Sequence, residues 1–293
     1  MQGRRVRRRG GYDMSLDVFL AVLLAAAMHA GWNAIIKSGG DPFVSVTHVS
    51  LFSGSIALCC LPFVPVPQPD VWKWLAASAI IHTVYRFMII GAYRTGDMAQ
   101  VYPIMRGAAP MLTAAGTALL VGEVISPTGF IAVGCLSLGV FLMSIKGSRA
   151  GGLNKTAVAF ALCSAVTTCG YSLTDGIGAR ANGSGPGFAI WMFVGNAITM
   201  QAIALLLKGP AVYATLRKNA TTSFGGGLMS MSAYFIVIWG MTKAPIALVA
   251  ALRETSVLFG AILAVVILKE PLTGWRVLAS LLVLAGMALL RVA

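Results

Sequence analysis

The sequence predicts an all-α membrane protein of ten transmembrane helices arranged as two inverted five-helix repeats. Three observations predict it. With 58% apolar and only 11% charged side chains and a mean hydropathy of +0.84, the chain lacks the polar surface of a soluble globule. Mostly apolar stretches of about 20 residues, the length that crosses a hydrocarbon core of roughly 30 Å, recur almost end to end. One arginine-to-glutamate spacing occurs twice, once in each half.

The first expected span, 16–37, continues the apolar run from Val18 to Met28 through Trp32 and Ile36 to Lys37. It is too long for the core of a signal peptide, although Arg4, Arg5, Arg7, Arg8 and Arg9 precede it. Met14 stands just ahead as an alternative start to Met1. Four further spans are expected at 43–65, 71–93, 98–121 and 127–145, and the second half repeats the series at 156–179, 186–208, 221–242, 245–268 and 272–290. Span four contains Pro103 and Pro110, which are expected to disturb its hydrogen-bond ladder and so to mark it as a cavity wall. The division is a basic tail at 1–15, a first repeat at 16–147 and a second at 148–293.

The repeat rests on spacing. Arg106 precedes Glu123 by 17 residues at the end of span four, and Arg253 precedes Glu270 by 17 at the end of span nine. Each glutamate is followed by a short turn with Pro and Gly (Pro127 and Gly129; Pro271 and Gly274) and one last apolar span. Five spans per half, an odd number, require the second half to enter the membrane with opposite polarity. Small residues at four-residue spacing, Ala114 with Ala118 and Gly260 with Ala264, permit close helix approach, and ordinary packing accounts for them.

The formal charge of +13 reflects cations in the tail and in short loops, as in polytopic membrane proteins, so nucleic acid is not an expected partner. Nine basic residues fall on the side of the termini and ten on the other, a balance that assigns no orientation. Cys59, Cys60, Cys135, Cys163 and Cys169 all fall within spans without a CxxC pair, and read as packing residues. No metal and no cofactor is expected.

A charge inside a span is costly unless it pairs or meets water, so the few intramembrane ionisable residues are the functional candidates. They are His29, His48, His82, Arg86, Arg106, Asp175, Arg253 and Glu254. His82 and Arg86 are four apart on one face of span three, beside Tyr85. Depth counting places Arg86 and Arg106 on one side of the midplane, and the repeat places Arg253 and Glu254 on the other with Asp175. The expectation is one polar cavity with three arginines against two carboxylates, suited to a substrate with an anionic group. Pairing of Arg253 with Asp175 and of Arg106 with backbone carbonyls, for assembly only, is the competing expectation for those side chains. The three histidines are expected to bridge helices or be satisfied in the core. Glu254, then Asp175, are the candidates for proton coupling, whereas Glu123 and Glu270 at helix ends are expected to cap or gate. Trp32, Asn33, Tyr102, Tyr171, Trp191, Asn196, Tyr234 and Trp239 add rings and amides, for which packing or interface roles are the default.

Four segments resemble the EamA-type members of the drug/metabolite transporter superfamily. Span one ends His29-Ala30-Gly31-Trp32-Asn33-Ala34, followed by Lys37. Span four runs from Asp97-Met98-Ala99 through Pro110 to Gly122-Glu123. Span six ends Tyr171-Ser172-Leu173-Thr174-Asp175-Gly176, and span nine reads Ala251-Leu252-Arg253-Glu254-Thr255-Ser256-Val257-Leu258-Phe259 before Lys269-Glu270. The resemblance, over nearly the whole chain, implies ten helices in two repeats, both termini cytoplasmic, and export or uptake of small metabolites such as amino acids. Lys269-Glu270 departs from the usual Gly-Glu, and basic residues after the first Gly-Glu are missing.

The expected function is therefore multi-pass transport of a small metabolite, an amino acid or organic anion, by alternating access in the cell membrane, a bacterial inner membrane. Substrate contacts are expected from His82, Arg86, Arg106, Arg253, Trp32, Asn33 and Tyr171. The expected partners are the small-molecule substrate, the lipid bilayer and a second copy of the chain in a homodimer. A membrane-embedded enzyme or a lipid-carrier flippase is the alternative. An enzyme would need clustered ligands or a nucleophile beside a base, but the histidines lie on three separate helices and no acidic pair has helical spacing within a span.

Overall fold

The computed structural model describes residues 14–38, 41–95, 98–145, 154–268 and 273–293. The basic tail at 1–13, Asp97, Lys146, Arg149, Lys269, Glu270 and Pro271 lie outside the described residues. The helices are α1 (Leu16–Ser38), α2 (Pro42–Cys60), α3 (Trp72–Thr95), α4 (Met98–Gly116), α5 (Pro127–Ile145), α6 (Lys155–Ala181), α7 (Gly185–Lys208), α8 (Ala220–Met241), α9 (Ile246–Arg253), α10 (Ser256–Leu268) and α11 (Gly274–Arg291). Among the described residues there is no strand. The protein is an all-α membrane protein: among the described residues nine segments are long and apolar enough to cross a bilayer, with α9 and the start of α10 counted as one, and α5 is a further apolar helix.

Local chemistry sets the helix starts. Asp41 caps α2, its carboxylate accepting from Phe43 N at 2.9 Å with Pro42 at the first helical position. Asn154, Ser184 and Thr273 accept from backbone N–H groups at the starts of α6, α7 and α11. Span four departs from expectation. The helix passes Pro103 and Pro110 unbroken, and its irregularity comes later, in a π-helical turn at Thr117–Val121. Gly122, in the left-handed region at φ 72°, then stops the helix.

Leu20, Leu24, Phe130, Leu138, Leu162, Ile198, Leu206, Ile262 and Leu281 are exposed around the bundle. In water such a surface would be a liability; in a bilayer it is the face presented to acyl chains. Cys59 and Cys163 belong to this outer surface rather than to the packed interior, and all five cysteines are free.

The two halves pack on each other in matching pairs. α3 lies on α6 and α1 on α8; α2 meets α8 and α3 meets α7; α5 crosses α11. The last crossing shows its register. A Cβ on Gly139 would sit 3.0 Å from Val283 N and 3.1 Å from Ala279 O, and one on Gly286 would sit 3.0 Å from both Leu136 N and Ala132 O. Each of the positions 132, 136 and 139 is answered by one 147 residues later, the separation of Arg106 from Arg253. The two helices therefore run antiparallel with glycines at equivalent places, where only a missing side chain lets backbones approach so closely.

Candidate functional site

The site begins with a break in the ninth span. Glu254 N, Thr255 N, Val257 N and Leu258 N bond carbonyls three residues back instead of four, at 2.9–3.1 Å, and Thr255 Oγ1 donates to Leu252 O at 2.7 Å. Hydroxyls that bond back to their own helix compete with its ladder. The polar run Arg253-Glu254-Thr255-Ser256 thus divides one expected helix into α9 and α10 and sets its charges at a turn inside the bundle.

Glu254, 1% exposed, lies between two guanidinium groups. Arg106 Nη1 donates to its Oε2 at 3.1 Å and Arg253 Nη2 to its Oε1 at 2.8 Å. Arg106 Nη2 also reaches His29 Nε2 at 3.1 Å, while Trp32 Nε1 approaches His29 Nδ1 at 3.2 Å. Both approaching groups are donors, and a neutral imidazole accepts at one nitrogen only, so one tautomer satisfies one of the two. Asn33 Nδ2 donates to His29 O at 2.7 Å. Arg253, expected from sequence to pair with Asp175, pairs with Glu254 instead. Arg106 and Arg253 share one carboxylate, and the two sides of the expected cavity meet across a single ion cluster.

Asp175, fully buried, has a different set of partners. Its Oδ2 accepts from Tyr234 OH at 2.6 Å and lies 3.0 Å from His82 Nε2, and Oδ1 has no hydrogen-bond partner. Tyr171 stacks on the His82 ring with centroids 4.4 Å apart, and the Arg253 guanidinium stands 5.5 Å from the Tyr171 ring centre. The order Asp175, His82, Tyr171, Arg253, Glu254, Arg106, His29 is one continuous chain of contacts.

Beside this chain lies a cavity of about 310 Å³. His82, Arg86, Arg106, Arg253, Trp32, Asn33 and Tyr171 all line it, whereas Glu254 and Asp175 lie behind its wall. Arg86 differs from the other two arginines: its Nη1 is buried without a hydrogen-bond partner, and among the described residues it forms no ion pair. Asn196, on α7, also lines the cavity with an unpartnered Oδ1. The remaining wall is largely apolar, including Met105, Met192 and Phe193.

Among the described residues the lining of the cavity is one-sided. It runs from mid-helix residues to Pro42 and Phe43 at the start of α2, Ile89 and Ile90 near the end of α3, and Ile203 near the end of α7, all on the face opposite the chain termini. The terminal face is tied shut. Glu123, turned inward just after Gly122, pairs with Arg180 and accepts from Ile246 N at 3.0 Å, capping α9. Arg180 also donates to Met241 O at 2.8 Å and Ala244 O at 3.0 Å. On the open face, Lys208 pairs with Asp41, and that hydrogen bond holds the Asp41 carboxyl below its ordinary value.

Sequence reasoning missed several of these residues. Tyr234 was given a default packing role and Arg180 was counted only among the basic residues on the side of the termini, although each touches a carboxylate, whereas His29 bridges α1 to Arg106 of α4 as expected of a histidine in a span. His48 behaves as expected, bridging helices through Val212 O at 2.9 Å. Among the described residues no group of His, Cys, Asp and Glu side chains is placed to hold a metal ion.

An all-helical bundle with an apolar exterior and a buried, charged cavity reached from one face defines a multi-pass membrane transporter or permease. The comparisons agree: residues 155–292, a little under half of the chain, match the EamA-like transporter family. A crystal structure of another protein superposes with a TM-score of 0.74 at 18% identity, over 93% of this chain and 97% of that one, a likeness of fold. No curated protein matches the chain.

Proposed function

We propose that the protein carries a small metabolite bearing an anionic group, an amino acid or organic anion, across the plasma membrane, a bacterial inner membrane, by alternating access. The observation that carries the reading is Arg86. A guanidinium with a buried, unpartnered N–H on the wall of a mid-bundle cavity is costly unless a ligand accepts from it, and a carboxylate fits its donor fork.

Alternating access is supported by the asymmetry between a tied terminal face and an open opposite face. It is supported also by the symmetric antiparallel crossing of α5 and α11, because inverted repeats would relate such a pair by an axis in the membrane plane. With the termini cytoplasmic, as the family resemblance implies, the described state faces outward. The test is counterflow of radiolabelled L-leucine, L-glutamate and L-malate in proteoliposomes. Charge-assisted hydrogen bonds contribute about 1.5–3 kcal/mol, so Arg86→Gln is expected to weaken apparent affinity by roughly 10- to 100-fold. Counterflow that is equally strong with Arg86→Gln rejects the anion site.

A further inference from the structure

We infer that the proton partner of transport is the His82–Asp175 pair rather than Glu254, and that the proton moves in the same direction as the anion. The inference rests on the carrier reading above and adds its coupling ion.

The two buried carboxylates differ in compensation. Glu254 is matched by two guanidinium groups at 3.1 and 2.8 Å, so its charge is already balanced by the fold. Asp175 has, among the described residues, one ion-pair contact, and that is a histidine. A fully buried carboxylate with one oxygen unpartnered needs a positive neighbour, and His82 supplies one when a proton is bound. An ionised Asp175 can only accept, so the His82 Nε2 that faces its Oδ2 carries the hydrogen, which leaves Nδ1 to take up the proton. A proton from cavity water forms an N–H bond there, giving an imidazolium against the carboxylate; after reorientation that bond breaks and the proton returns to water on the other side.

The surroundings fix the sign of coupling. On its own helix His82 has Tyr85 and Arg86, the latter one turn away. From α6 it meets Asp175 and Tyr171, and from α8 Tyr234. Across the Tyr171 ring stands Arg253 of α9, itself paired with Glu254, and Arg106 of α4 and His29 of α1 complete that cluster. α7 contributes the uncharged Phe193 and Asn196 to the same cavity. A proton on His82 therefore adds positive charge beside Arg86 on the wall an anion would occupy. Each ligand favours the other, reciprocally, by the 5- to 150-fold that allosteric couplings commonly reach. Mutual strengthening means symport; a proton that competed with the substrate would mean exchange.

Proteoliposomes enclosing a pH-sensitive dye are given an inward gradient of whichever of L-leucine, L-glutamate or L-malate shows counterflow, with no imposed pH difference. The lumen is expected to acidify by about one proton per solute, because the pair carries a single proton, and Asp175→Asn is expected to abolish the acidification. Solute entry without acidification, or with the lumen turning alkaline, overturns the inference and leaves the carrier reading standing. Acidification retained at the wild-type ratio in Asp175→Asn overturns the assignment to this pair. Absence of counterflow for all three solutes in wild-type vesicles removes the carrier reading and this proposal with it. The wild-type measurement decides direction even if the variant does not fold.

Discussion

Replacing Glu254 by glutamine removes the one charge that separates Arg106 from Arg253. In the native site its two oxygens accept from the two guanidiniums at 3.1 and 2.8 Å, and the side chain is 1% exposed, so bulk water cannot take over its role. Glutamine keeps the shape but leaves two like charges in one buried pocket. Removing one member of a buried ionic cluster costs about 3–5 kcal/mol because the remaining charges stay uncompensated. At roughly 2–4 °C per kcal/mol for a chain of this size, the melting temperature in detergent should fall by on the order of 10 °C. Combining Glu254→Gln with Arg106→Gln should recover more than half of that loss, since one uncompensated cation goes with its partner. A melting temperature within a degree or two of wild type for Glu254→Gln alone, by a fluorescence-detected thermal ramp, refutes the claim that this carboxylate is the counter-charge of both arginines.

Two further outcomes follow from the packing. Gly286→Val puts a branched side chain where even a Cβ would approach Leu136 N and Ala132 O to 3.0 Å, so α5 and α11 must separate; the strain is about 1–3 kcal/mol, read as lower thermal stability, and Gly139→Val should behave alike because it faces the same contact from the other half. Gly122→Ala forces a side chain into a left-handed backbone at φ 72° and should cost about 1 kcal/mol, although no atom crowds the new methyl.

The bundle was legible in the sequence because the bilayer imposes one length and one composition on every span. The seven residues expected to contact substrate all line one cavity for a related reason, since polar side chains within a span have nowhere else to go. What sequence did not convey was partnership. Arg253 is sequence neighbour to Glu254 and bonds it, yet Arg106, from 148 residues away, bonds the same carboxylate. The choice between Asp175 and Glu254 for Arg253 is made by the turn at Thr255, which neither Gly nor Pro announces. Tyr234 and Arg180 were opaque for the same reason: each acquires its role from a helix end or carboxylate brought near only by the fold. The prolines pointed to the right helix, since Met105 and Arg106 of α4 line the cavity, but not to the place of its irregularity, because α4 continues through both and the π-helical turn falls at Thr117–Val121.

If one cavity is served in turn from both faces, Glu123 and Arg180 are what hold the terminal face closed. This is tested most directly by side-specific labelling of Ser230→Cys, a cavity-lining position on α8, after the five native cysteines are replaced by serine. A membrane-impermeant thiol reagent should label it from the face opposite the termini in the otherwise native protein. Adding Glu123→Gln should raise labelling from the terminal face severalfold, because a neutral partner weakens the tie to Arg180. Labelling that stays confined to one face, unchanged by Glu123→Gln, means that the Glu123–Arg180 pair does not close the terminal face.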